Sequence, residues 1–198
     1  MIFTIEFYTL IKKGENDMRY AKIIENDTVN TLWGINVSFW LQGCKFRCSE
    51  CHNPHTWDIN GGEELPTDYK QHINWLLHKD KIDRHLSILG GEPLLEQNRQ
   101  IVYDLIIFIK KYSPYTKIYL WTGYTLKQLK KEKDKRIKEI LKNIDILVDG
   151  LYNKEYKSTS LYLRGSKNQN VYFKNKLVNL EDKNVYERTI KRLIKRTY

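Results

Sequence analysis

Gly43-Cys44-Lys45-Phe46-Arg47-Cys48-Ser49-Glu50-Cys51-His52-Asn53 carries all three cysteines of a 198-residue chain. Cysteines that only fill a core scatter along a sequence; three in one short loop, with none elsewhere, make a ligand set. Two metal chemistries suit it. A structural zinc site would take His52 or His55 as fourth ligand. Such sites, however, usually join two C-x-x-C knuckles from separated segments, whereas one C-x-x-x-C-x-x-C run supplies every thiolate here. A cubane iron–sulfur cluster normally takes four thiolates, and Cys44, Cys48 and Cys51 cap three. One iron is then left open, and an open position distinguishes catalytic metal sites from closed structural ones.

Upstream of the loop, Trp33, Ile35, Val37, Phe39 and Leu41 alternate with mostly polar or small neighbours, which predicts a strand over residues 31–41 running into Gly43. Downstream, Gly61-Gly62 marks a turn. Pro66-Thr67-Asp68 starts a helix with Ile73, Leu76 and Leu77 on one face and His72 and His78 at its surface. A short strand over 86–89 closes in Gly90-Gly91-Glu92-Pro93, where two glycines allow positive φ or close approach of the backbone. Ile101, Leu105, Phe108 and Ile109 give residues 98–112 a helical period that Pro114 stops.

The next strand, 117–121, ends at Thr122-Gly123-Tyr124. One long basic helix is expected over about 126–143, with Leu129, Ile137, Ile140, Leu141 and then Ile144 turned inward. Residues 146–148 form a strand that ends at Asp149-Gly150. Four strands, the later three separated by helices, predict an α/β fold with a mainly parallel sheet. Ligands gather at the carboxyl ends of such strands. The cysteine loop, Gly90-Gly91-Glu92, Thr122-Gly123-Tyr124 and Asp149-Gly150 should therefore share one rim. Past Gly150 the pattern loosens into tyrosine-rich polar sequence, distinctive only at residues 161–169. A final amphipathic helix over 182–196 presents Tyr186, Ile190, Leu193 and Ile194.

Composition narrows the class. Hydrophobic residues make up 41% of the chain with only four prolines, which excludes disordered and collagen-like chains. The apolar start is followed, not preceded, by Lys12-Lys13, the wrong order for a signal peptide, and falls short of the roughly 20 apolar residues of a membrane span. A cytoplasmic protein with free thiols is expected. Residues 1–122 carry 14 Lys and Arg against 15 Asp and Glu, while residues 123–198 carry 20 against 9. The basic half has no stacking motif beside its lysines, so an acidic protein surface is the expected counterpart and nucleic acid is not. Residues 1–17 are read as an extension, with 18–198 as a single domain. Either translation starts at Met18, in which case an intact mass beginning at Met1 ends the idea, or residues 2–10 add an edge strand.

The C-x-x-x-C-x-x-C run, with Gly90-Gly91-Glu92 after the next strand, resembles the radical S-adenosylmethionine enzymes. Within them the chain is most similar to the activating proteins of anaerobic ribonucleoside-triphosphate reductases. The likeness covers most of residues 18–169 through Gly43-Cys44, Cys51-His52-Asn53, Thr56-Trp57, Gly90-Gly91-Glu92-Pro93-Leu94, Trp121-Thr122-Gly123-Tyr124, Val148-Asp149-Gly150, Arg164-Gly165-Ser166 and Asn168-Gln169. Two features depart from it: His52 stands where relatives often have tyrosine, and the tail past Asn170 is longer. His52 is shared with activases of other glycyl-radical enzymes, which keeps a pyruvate formate-lyase type activase as an alternative beside a zinc-binding interaction module.

The resemblance implies a partial (βα) barrel and one [4Fe-4S] cluster on Cys44, Cys48 and Cys51, with S-adenosylmethionine on the fourth iron. Glu92 would receive the methionine amino group, Gly90 and Gly91 would permit its approach, and the backbone of Glu50, Cys51 and His52 would lie against adenine. Thr122, Asp149 and Arg164 are further candidates, Arg164 for a substrate carboxylate or an acidic group of the partner. No side chain beyond cluster and cofactor is expected to be catalytic. One electron from the reduced cluster would cleave the sulfonium, releasing methionine and a 5′-deoxyadenosyl radical that takes a hydrogen from a glycine α-carbon. The implied partners are the large subunit of the reductase and a flavodoxin- or ferredoxin-type electron donor. Lys45 and Arg47 would raise the cluster potential or meet that donor, unless they are only solvated loop charges.

Overall fold

The structure, a computed structural model, describes residues 18–194; the extension at 1–17, its candidate strand at 2–10, the end of the expected helix at 195–196 and residues 197–198 lie outside the described residues. The described strands are β1 (Arg19–Asp27), β2 (Asn36–Leu41), β3 (Glu63–Glu64), β4 (His85–Gly90), β5 (Ile118–Trp121), β6 (Ile146–Asp149), β7 (Asn170–Phe173) and β8 (Lys176–Val178). They form one sheet in the order β3-β1-β2-β4-β5-β6-β7-β8. The middle of it, β2, β4, β5 and β6, is parallel, as the alternation of strands and helices predicts. The flanking pairings are all antiparallel.

The helices are α1 (Tyr69–His78), α2 (Arg99–Tyr112), α3 (Leu126–Leu129), α4 (Lys135–Asn143) and α5 (Lys183–Ile194). The apolar faces of α1 to α4 pack on one side of the sheet, against Val37, Phe39, Leu41, Leu86, Ile88, Ile118, Leu120 and Leu147. On the other side Tyr119, Ile146, Val148 and Val171 pack with Leu32, Leu180 and Leu193, so α5 covers the lower part of that inner face. With both faces covered, β2 is buried at every position, the usual condition of parallel strands. Its even positions, Asn36, Ser38 and Trp40, face the inner side, and that side stays open toward the carboxyl ends of the strands. No helix among the described residues is long and apolar enough to cross a membrane.

Three elements differ from the sequence expectation. β2 starts at Asn36, not residue 31, because the Thr31 hydroxyl accepts the Trp33 N–H and Gly34 turns the chain at φ 76°. The expected helix over 126–143 is two helices. Thr125 closes α3 in a capping box with Gln128, five polar residues interrupt the apolar period, and Asp134 starts α4 by accepting the Arg136 N–H. Strands β1, β3, β7 and β8 are additional to the four expected.

Below the parallel strands, Asp145 accepts the Ile118 N–H at 3.0 Å and meets Lys110 at 3.2 Å and Lys174 at 2.8 Å. Burial pushes the Asp145 carboxyl up, but Lys110 and Lys174 outweigh it and hold the group below its ordinary range. Lys110 is pushed down by its own burial in spite of Asp145, so the acid is the partner whose charge the site favours. Asp145→Asn leaves two partly buried ammonium groups without their counterion and is expected to cost about 3 kcal/mol in urea unfolding. In the wild type this contribution is present above the unfolded-state carboxylate range and is lost as pH falls through the lower folded-state value.

Candidate functional site

The carboxyl ends of β2, β4 and β5 meet by direct hydrogen bonds. Gly43 N–H donates to Thr56 O at 2.9 Å and Cys44 N–H to Trp57 O at 3.1 Å, which pins the start of the cysteine loop against residues 54–57. From the other side Gly91 N–H reaches Leu41 O at 2.9 Å and Glu92 N–H reaches Gly43 O at 2.8 Å. A Cβ at Gly91 would stand 2.4 Å from Gly43 O, and one at Gly90, where φ is 112°, would stand 2.6 Å from the backbone of Leu41. The glycine pair therefore serves close approach of the chain to itself, drawing the end of β4 onto the cysteine loop.

Arg47 and Glu50 adopt left-handed backbone at φ 47° and 57°, and Cys51 N–H closes a turn on Cys48 O at 3.1 Å. This coiling brings Cys44, Cys48 and Cys51 to the wall of one cleft of about 640 Å³. All three are free thiols. Their sulfurs face backbone donors: Phe46 and Arg47 at Cys44, Tyr152 at Cys48, and Asn53 at 3.4 Å from Cys51 Sγ. Burial pushes the Cys44 and Cys48 thiols up, with Cys51 adding to the effect at Cys48, against those N–H groups. Three sulfurs on one loop, each offered an N–H, fit cluster ligation, in which hydrogen bonds to sulfur tune the metal. Among the described residues no three His, Cys, Asp or Glu side chains converge as the ligands of a single ion would.

Glu92 is buried at the meeting point. Its carboxylate accepts Leu94 N–H at 2.8 Å and the Thr122 hydroxyl at 2.7 Å on Oε1, and Gly123 N–H at 2.7 Å on Oε2. Burial pushes it up to about 7, opposed by the Gly123, Thr122 and Leu94 donors. Three of the roughly four acceptor directions of a carboxylate are thus used inside the chain. Glu92, Gly90, Gly91 and Thr122 all line the cleft.

The other candidates fall into distinct places. His52 is exposed at the cleft edge with its ring 5.8 Å from that of Tyr152, and Glu50 is exposed 4.0 Å from Lys154 Nζ. Asp149 is buried outside the cleft lining, where it accepts Leu126 N–H at 2.5 Å and Asn170 Nδ2–H at 2.9 Å and so ties β6 to α3 and β7. Arg164 lines the cleft but already pairs within the chain, Nη2 to Glu181 Oε2 at 2.6 Å and Nη1 to Gln169 O at 2.6 Å. Lys45 extends to the rings of Tyr124 and Phe46, at 5.0 and 5.8 Å, while Arg47 is exposed. Sequence reasoning missed Tyr152 and Trp40, which complete the cleft wall. Trp40 carried a signal, an indole on the second face of an already apolar strand.

Comparison with known proteins matches residues 33–172 to the family described as 4Fe-4S single cluster domain. The chain is 33% identical over 155 residues to the anaerobic ribonucleoside-triphosphate reductase-activating protein of Enterobacteria phage T4, an alignment covering 78% of this chain and 94% of the phage protein. It is 34% identical over 158 residues to the protein of that name from Pasteurella multocida, covering 78% and 97%. With the Escherichia coli protein it shares 32% identity over 156 residues, covering 78% and 98%.

Proposed function

The chain belongs to the family of anaerobic ribonucleoside-triphosphate reductase-activating proteins and carries a 4Fe-4S single-cluster domain, and from that membership we propose that it is a radical S-adenosylmethionine activase. It cleaves S-adenosylmethionine reductively and removes a hydrogen from the α-carbon of one glycine in the large subunit of the reductase, leaving a glycyl radical there. The observation that carries this reading is the convergence of all three thiols with the Gly90-Gly91-Glu92 turn and Thr122 on one cleft.

In this reading Cys44, Cys48 and Cys51 would hold one [4Fe-4S] cluster, leaving a position for S-adenosylmethionine. When bound, the two groups together supply one-electron cleavage of a sulfonium carbon–sulfur bond and the acceptor for the hydrogen. The chain supplies placement. Gly43 and Gly91 lock the loop to β4, Glu92 fixes the ends of β4 and β5 to each other, and the inner face of the sheet would form one wall of the reacting centre. β2, β4, β5 and β6 would form the arc of a partial barrel around it. The backbone at Glu50, Cys51 and His52 would lie along the adenine, and the remaining acceptor direction of Glu92 suits the methionine amino group. Lys45 and Arg47, exposed on the loop, suit an acidic flavodoxin- or ferredoxin-type donor in the cytoplasm.

The test is anaerobic reconstitution with iron and sulfide. The expected product is brown with about four irons per chain. Mixed with S-adenosylmethionine, a reductant and the large subunit, it should give a glycyl signal in electron paramagnetic resonance. A colourless protein holding one zinc ends the enzyme reading, and a signal raised only on pyruvate formate-lyase reassigns the partner.

A further inference from the structure

Three residues that line the cleft each hold a buried polar atom with no partner among the described residues. Trp40 is 8% exposed, lines the cleft, and its indole N–H has no hydrogen-bond acceptor among the described residues. It stands in register with Leu89 on β4, and Lys22 Nζ sits 4.4 Å from its ring centroid. The Nε of Arg164 and the hydroxyl of Tyr152 are likewise buried and unpartnered, on two other residues of the same lining. Buried donors are nearly always satisfied, so three orphans on residues around one cleft mark groups that a ligand completes.

Their chemistry narrows the ligand. The guanidinium charge of Arg164 is already matched by Glu181 at 2.6 Å, so its Nε–H is a donor with no unmatched charge behind it. An incoming carboxylate or phosphate would bring a second anion beside Glu181, which disfavours both. Trp40 offers one neutral donor, and Tyr152 can donate or accept. Neutral donors beside one ambivalent hydroxyl suit the carbonyl and N–H groups of a peptide main chain. A glycine has only its main chain to be gripped by.

We propose that Trp40, Arg164 and Tyr152 form a peptide-reading wall that holds the main chain of the glycine-bearing segment of the partner by donating to its carbonyl oxygens. This rests on the activase reading above and adds to it the residues that select the protein substrate, as distinct from those that hold the cofactor.

The experiment uses the reconstituted full chain with the reductase large subunit as substrate. It measures KM and kcat for glycyl-radical formation and the Kd for S-adenosylmethionine. Trp40→Phe keeps an aromatic ring, smaller than the indole, and removes the N–H; KM for the large subunit is expected to rise about tenfold, with kcat and cofactor Kd changed by less than about twofold. Tyr152→Phe, a smaller change in packing, should raise KM about threefold in the same pattern. Unchanged KM in both variants overturns the proposal, as does a cofactor Kd that rises in step with KM, which would assign the donors to S-adenosylmethionine. Failure of the wild type itself to give a glycyl signal is a different result: it removes the activase reading, and this wall with it.

Discussion

Gly91→Ala is expected to fold and yet to lose most of its iron, retaining less than about one iron per chain after a reconstitution that gives the wild type about four. The added methyl would sit 2.4 Å from Gly43 O and 2.9 Å from both Gly43 C and Thr56 O. All three are backbone atoms, so no side chain can swing aside. Gly43 is itself at φ 91° and hydrogen-bonded on both sides, which leaves outward movement of residues 43–44 as the way to relieve the clash. Cys44 is on the segment that moves. Overpacking of this kind costs about 1–3 kcal/mol or more, a loss the two cores of the sheet can absorb, whereas ligand geometry tolerates only a few tenths of an ångström. Gly34→Ala is the control. That glycine is at φ 76° with open space around it, so the variant should melt slightly earlier, at a cost of about 1 kcal/mol, and keep its iron. Iron content and visible absorbance after reconstitution decide the matter. A brown Gly91→Ala protein would mean that the loop is not held from β4.

The parallel centre of the sheet was legible because β2, β4, β5 and β6 are short apolar runs, each closed by glycine or a polar residue, with helical periods between the later ones. The flanks were not. β1 reads RYAKIIEND and is half-buried at most positions, so neither face shows a clean alternation. β7 and β8 join through Lys174-Asn175, both left-handed at φ 48° and 62°, a two-residue hairpin turn of the kind usually announced by Asn-Gly. Asparagine in second place made that signal weak. The break between α3 and α4 was visible in principle, since Thr125-Leu126-Lys127-Gln128 spells a capping box and residues 130–134 hold no apolar side chain. At the site, residue type and spacing revealed which side chains gather but not what each one touches. Arg164 was expected to pair with a substrate carboxylate or an acidic group of the partner, and the structure gives it Glu181, 17 positions along the chain. Asp149 ends its strand as expected, yet its carboxylate turns to Leu126 and Asn170. Such pairings depend on side chains distant in sequence, which no local pattern encodes.

Glu92→Ala should be the most destabilising single change at the rim, by about 4 kcal/mol or more in urea unfolding. It strands two backbone N–H groups and one hydroxyl in a buried place, at about 1–3 kcal/mol each. The Thr122-Gly123 turn would come loose from β4 as a result. If the carboxylate served only to receive the cofactor amino group, the same variant would keep its stability and lose S-adenosylmethionine affinity alone. Glu92→Gln separates charge from shape. The folded-state value of about 7 lies above the ordinary value of 4.5, so between the two the folded chain binds a proton that the unfolded chain has released. This contribution to stability is complete below pH 4.5 and declines as pH rises through 7, by about 3 kcal/mol in all. Glutamine cannot ionise, so this part of the decline between about pH 5 and 8 should be missing in the variant. Parallel wild-type and Glu92→Gln stability curves over that interval would show that the three donors, not burial, set the carboxylate, keeping it charged throughout.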